Sequence, residues 1–116
     1  MLHKILPSIP SLKLNDGHSI PLLGYGTGTA WYKDESDTTF KRELVDATLT
    51  ATKLGYYHLD GAERYSTEAE LGAAIKESGV PREQLFVTSK VMKGIDDPEK
   101  ALDESLSRLG LSYVDL

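Results

Sequence analysis

The chain has 116 residues, 40% hydrophobic and 27% charged, which suits one soluble globular domain with a modest core. A net charge of −5, with lysines and arginines scattered from Lys4 to Arg108, points away from a nucleic-acid binder. The absence of cysteine excludes disulfides and thiolate metal sites; no apolar run approaches the roughly 18 residues of a membrane span, the N-terminus has no signal-like apolar region, and a cytoplasmic location is expected.

The first predicted element is a β-hairpin at about 11–21. Two short arms flank Asn15-Asp16-Gly17-His18, and Asp-Gly is a strong turn signal because glycine takes φ > 0 without steric cost. Residues 22–27 then read as a short buried strand running into a Gly/Thr loop. A long loop, 28–37, follows. A helix is predicted over 38–54, with Asp37 as N-cap, Gly55 just past its end, and Phe40, Leu44, Ala47, Ala51 and Leu54 on its apolar face.

Residues 56–60 read as the next strand. A second helix is predicted over 68–78, opened by a capping box of Thr67 and Glu70 and closed by Gly79 and Pro81. Residues 85–90 form a third strand rich in β-formers. Asp97 and Pro98 start a third helix, whose buried stripe is Leu102, Leu106 and Leu109 and whose end is Gly110. Residues 113–116 look like the opening of a fourth strand. The βα units, about 22–116, recur roughly every 27–34 residues, so the class is α/β with parallel, adjacent strands. Periodicity leaves two architectures open, an arc of a (β/α) barrel or a doubly wound open sheet. A closed barrel needs about 250 residues.

Parallel neighbouring strands would bring Asp60 and Lys90 to one sheet edge, with Tyr65 in the loop leaving it. A phenol holds its proton at neutral pH, and a neighbouring lysine ammonium favours the phenolate and eases donation. A carboxylate can hold that ammonium in place. Such a trio can protonate an oxygen that is gaining negative charge, as a carbonyl oxygen does when hydride reaches its carbon. On spacing alone, the same residues also read as a loop-forming Asp, a packed aromatic and a solvated lysine.

The run from Gly55 to Gly72, with Tyr56-Tyr57-His58-Leu59-Asp60-Gly61-Ala62 and Glu68-Ala69-Glu70-Leu71, closely resembles the signature around the catalytic Asp and Tyr of the aldo-keto reductases. Leu23 to Thr27, Phe86 to Lys90 and Leu106 to Leu116 resemble that family's first strand, its lysine-ending strand and its run into the fourth strand. The resemblance covers nearly the whole chain from about Leu12. It implies the N-terminal portion of a (β/α)8 TIM barrel with an N-terminal hairpin, residues 1–116 being one partial domain truncated at the fourth strand.

The resemblance further implies reduction of aldehydes or ketones with NADP(H). Tyr65 would be the general acid, Lys90 its activator and Asp60 the partner of Lys90. Gly26, Thr27, Gly28 and Asp60 would lie against the nicotinamide end of the cofactor, and Trp31 and Tyr32 would flank the substrate. The Gly26 to Trp31 stretch is similar to fungal and microbial members that reduce activated ketones. Tyr57 stands where the family usually has Arg, for which altered packing is expected. The family's catalytic His lies a few positions past a Val-Asp-Leu like Val114-Asp115-Leu116, so the chain as given is expected to be incomplete for catalysis and to associate with another half or another copy. Other readings are a non-catalytic regulatory or binding relative and an inactive fragment. The expected partner is a small carbonyl compound, with no nucleic acid and no membrane. His3, His18 and His58 read as structural or surface residues, and no metal is expected because no His and carboxylate pair has ligand spacing.

Overall fold

The computed structural model describes residues 8–116. Strands β1 (Ser11–Lys13) and β2 (Ser19–Pro21) pair antiparallel with Leu12 opposite Ile20. Their turn is the expected one: Gly17 has φ +91°, and the Asp16 carboxylate accepts the His18 N–H at 2.9 Å. Strands β3 (Gly24–Gly26), β4 (His58–Asp60) and β5 (Phe86–Thr88) form a parallel sheet in that order. Consecutive strands are neighbours with no reversal of order, an arrangement that an arc of a barrel and one half of a doubly wound sheet share. The sheet does not close. Residues 113–116 run beside β5, where the Asp115 and Leu116 amides donate to Val87 O and Ser89 N donates to Leu116 O, but they form no complete strand.

Helices α1 (Arg42–Lys53) and α2 (Glu68–Ser78) connect these strands and α3 (Pro98–Leu109) follows β5, with α2 packed between the other two. Leu59 and Val87 of the sheet meet Leu71 and Ile75 of α2, Leu109 of α3 and Leu85 in one core, with Tyr57 packed against it. Among the described residues no helix is long and apolar enough to cross a membrane.

Several local expectations need correction. Helix α1 begins at Arg42, not near residue 38, and Lys41 before it makes no side-chain cap. Asp37 instead closes a tight turn on Thr39, accepting its N–H at 3.0 Å and its hydroxyl at 2.6 Å. Phe40 and Leu54 are exposed, and the buried face is Leu44, Val45, Thr48, Ala51 and Thr52. The threonines can be buried because the helix satisfies them itself: Thr48 Oγ1 donates to Leu44 O and Thr52 Oγ1 to Leu49 O, each at 2.8 Å.

The capping box of α2 is absent. Thr67 donates to Thr27 O, and Glu70 turns inward to a lysine described below. Leu22 and Leu23 are exposed, because β3 is an edge strand with β4 as its sole partner among the described residues. In α3, Asp97 caps as expected by accepting the Lys100 N–H, but the buried stripe is Ala101, Ser105 and Leu109, and Leu102 faces out. Close approach selects that face. Gly94 lies against Ala101, and Gly72 of α2 lies directly against the Leu109 carbonyl, so only small surfaces fit there.

Candidate active site

The parallel register aligns Gly26, Asp60 and Thr88 across the sheet, and the chain leaves all three strands at the same edge. The exits are stitched together by backbone bonds from Thr27 N to Asp60 O and from Gly61 N to Thr88 O, at 3.0 and 2.8 Å. Two residues past β5, Lys90 reaches back across this edge. Its ammonium donates to Asp60 Oδ1 at 2.8 Å and to the Gly61 carbonyl at 2.9 Å, and lies 3.5 Å from the Tyr65 hydroxyl. It also sits 5.1 Å from the centre of the Tyr65 ring. The three residues singled out in the sequence therefore meet.

Tyr65 closes a single 3₁₀ turn, Glu63–Tyr65, after which Ser66 adopts a left-handed φ of 57°. Two neighbours fix its ring and backbone. A Cβ on Gly28 would fall 2.9 Å from Tyr65 Cζ, so glycine there lets the loop lie flat on the ring. Lys33 N donates to Tyr65 O at 3.1 Å. The turn is also tied to the Lys90 segment. Glu63 N donates to Lys90 O at 3.0 Å, while the Glu63 carboxylate accepts the amides of Met92 at 2.9 Å and Gly94 at 3.1 Å.

The electrostatics follow from these contacts. Partial burial works against the Lys90 ammonium, but the hydrogen bond and charge of Asp60, with Tyr65 adding to them, hold its pKa above the ordinary lysine value. Lys90 thus stays charged throughout the neutral range. The Met92 N–H, with those of Gly94 and Lys93, outweighs burial and holds the Glu63 carboxyl below the ordinary glutamate value.

Sequence reasoning missed a layer of buried charge beneath the loops. Lys33 and Glu70, 5% and 1% exposed, pair at 2.9 Å, and the Lys33 ammonium also donates to Thr39 O. Glu68 is equally buried and accepts from Arg108 Nε at 2.9 Å, Ser105 Oγ at 3.2 Å and Ser89 Oγ at 3.0 Å. The available signal was two glutamates, Glu68 and Glu70, whose spacing of two sets them on opposite sides of a helix that packs on both flanks.

The remaining expected site residues divide. Gly26 is exposed and a Cβ there would meet nothing within 4 Å. Thr27 is fully buried, its hydroxyl donating to Asp60 O at 2.9 Å, and Gly28 is buried under Tyr65. Trp31 is half-buried in a 3₁₀ turn, Thr29–Trp31, and Tyr32 is exposed beside it. His18 lies exposed in the hairpin turn, 3.2 Å from Asp16. His58 bonds Thr88 Oγ1 at 3.2 Å and stacks edge-on against Phe86. His3 lies outside the described residues.

The family model for the aldo/keto reductase family matches residues 23–116. The chain is 47% identical over 100 residues to a NAD/NADP-dependent indole-3-acetaldehyde reductase of Schizosaccharomyces pombe, covering 86% of this chain and 35% of that protein. It is 50% identical over 106 residues to a glycerol 2-dehydrogenase (NADP(+)) of Saccharomyces cerevisiae, covering 90% and 31%. Its backbone matches the crystal structure of a Bombyx mori aldo-keto reductase in complex with NADP at a TM-score of 0.80 and 40% identity, covering 93% and 36%. The chain spans about a third of the length of the curated relatives it matches.

Proposed function

This chain belongs to the aldo/keto reductase family, and on that premise we propose that it carries the proton-donating half of an NADP(H)-dependent reduction of aldehydes or ketones. The observation that carries the reading is the contact of Lys90 with both Asp60 Oδ1, at 2.8 Å, and the Tyr65 hydroxyl, at 3.5 Å. Tyr65 donates its proton to the carbonyl oxygen of the substrate. The Lys90 ammonium stabilises the phenolate that remains, and Asp60 keeps the ammonium charged and aimed. Asp60 is positioned in turn by the backbone bonds that stitch the strand exits together.

The residues at this edge fit the reacting end of a nicotinamide cofactor. Gly26 leaves open space at the strand end, and Asp60 presents a carboxylate whose Oδ1 alone is engaged by Lys90. Gly26 and Asp60 would hold the cofactor there. Thr27 and Gly28 act from beneath, Thr27 by fixing the Asp60 backbone and Gly28 by seating the Tyr65 ring. When bound, the cofactor supplies the hydride. Trp31 and Tyr32, on the loop leaving β3, border the substrate.

The presence of all three interacting side chains favours an enzyme over a non-catalytic relative. The test is Tyr65→Phe in the full-length polypeptide, read as NADPH oxidation with a ketone substrate. Turnover is expected to fall by about 10²- to 10⁴-fold with NADPH affinity retained, since the ring stays and the proton is gone. Turnover within a few-fold of wild type would refute the assignment of Tyr65 as the acid.

A further inference from the structure

The fixed charges around the site are almost all cancelled in pairs. Lys90 is matched by Asp60, Lys33 by Glu70, Arg108 by Glu68, and Lys93 by Glu35. The Glu63 carboxylate is taken up by backbone amides. Of the four arginines in the chain, Arg42 pairs with Glu77 and Asp46, Arg82 with Asp115, and Arg108 with Glu68. Arg64 is the exception. It has no carboxylate partner among the described residues, in a protein with more acids than bases.

Its place is specific. Arg64 immediately precedes Tyr65 in the 3₁₀ turn, and its guanidinium spans two different loops at the carboxyl edge of the sheet. One nitrogen approaches Met92 Sδ at 3.6 Å, in the loop beyond Lys90. The guanidinium carbon lies 6.0 Å from the centre of the Tyr32 ring, in the loop beyond β3. A thioether and an aromatic face can locate a guanidinium but cannot neutralise it. Its forked donors remain available for a planar anion, which a guanidinium binds in bidentate fashion.

We propose that Arg64 selects carbonyl substrates that carry a carboxylate, binding the anionic end while Tyr65 protonates the carbonyl oxygen. This rests on the carbonyl-reductase reading above and names its substrate class. The uncompensated cation belongs to the residue next to the proposed acid and lies between the loop beyond β3, which borders the substrate, and the loop beyond Lys90, so a charged substrate is drawn to it and oriented by it.

The experiment compares 4-carboxybenzaldehyde with its uncharged isostere, 4-carbamoylbenzaldehyde, in the full-length polypeptide and in Arg64→Met, which keeps a long apolar stem. The readout is the ratio of kcat/KM for acid over amide within each protein, so any loss of folded enzyme cancels. Wild type is expected to favour the acid, and Arg64→Met to lower the ratio by about 10- to 100-fold, mainly through KM, as for loss of a charge-assisted hydrogen bond. Arg64→Lys should fall between them. In parallel, titration calorimetry of 4-carbamoylbenzoate in the presence of NADP⁺ reads anion binding without turnover and should weaken by a similar factor. An unchanged ratio, or a wild type indifferent to charge, would overturn the proposal, and so would unchanged calorimetric affinity. If neither aldehyde is reduced, the carbonyl-reductase reading fails, and the calorimetric comparison alone still decides the role of Arg64 in binding an anion.

Discussion

The carboxyl edge of the sheet and the helical layer behind it are held by opposite means. At the edge, polar groups lock short loops: Glu63 binds two amides, Lys33 and Glu70 bury their charges together, and Thr27 and Thr67 bond to backbone. In the helical layer the fit is steric, with Gly72 against the Leu109 carbonyl and Leu59, Leu71, Val87 and Leu109 in mutual contact. Polar locks fix direction as well as distance, which a proton donor requires. Apolar packing is less directional and supplies most of the driving force for folding. The two regions should therefore fail differently when perturbed.

The largest expected effect on stability is Lys33→Met, which leaves the buried Glu70 carboxyl without its partner under the loop. A loss of about 3–5 kcal/mol is expected by chemical denaturation, and Lys33→Met with Glu70→Leu should recover much of it. Next is Gly72→Ala, whose Cβ would collide with the Leu109 backbone. Overpacking of about 1–3 kcal/mol is expected, with activity per folded molecule preserved because the site is remote. Its converse is Gly28→Ala, where the new methyl meets the Tyr65 ring. That substitution should lower kcat by at least about 10-fold while costing no more in unfolding free energy than the about 1–3 kcal/mol expected for Gly72→Ala. If Gly72→Ala instead abolishes kcat while Gly28→Ala leaves it intact, the contrast between the regions is wrong.

A smaller effect sharpens the picture through pH. The folded-state pKa of Glu63 is lowered, so its contribution to stability is complete above the ordinary glutamate value of 4.5 and is lost as pH falls through the lower folded value. Glu63→Gln keeps one acceptor and cannot ionise. It should cost about 1–3 kcal/mol at pH 7, with the difference from wild type shrinking in acid-unfolding measurements below pH 4.5. A difference that persists unchanged at low pH would mean that the carboxylate charge does not tie these loops.

The legibility of the sequence follows the same division. The site trio was readable because its three residues sit at or just past strand ends, and the parallel register alone brings Asp60 and the segment carrying Lys90 together. The end of helix α2 was readable from its glycine and proline stop, and its start falls where expected although the capping box expected there does not form. What failed was the assignment of faces. Thr48 and Thr52 look polar in sequence yet bury, because helix carbonyls accept their hydroxyls. Phe40 and Leu102 look like core yet lie exposed, Phe40 because the chain before α1 is held by the Asp37 turn, Leu102 because glycine contacts select the adjacent face of α3. The Lys33–Glu70 pair joins residues 37 positions apart, and no local pattern signals such a partner.

The central claim is that Tyr65 and Lys90 act as one chemical unit. The most direct test is kcat/KM of the double variant Tyr65→Phe, Lys90→Met against each single variant in the full-length polypeptide, with NADPH binding confirmed for all three. Residues that serve one step are strongly non-additive. The double variant is therefore predicted to be no more than a few-fold worse than the worse single variant. Losses that multiply would mean that the two residues act independently, and would contradict the account.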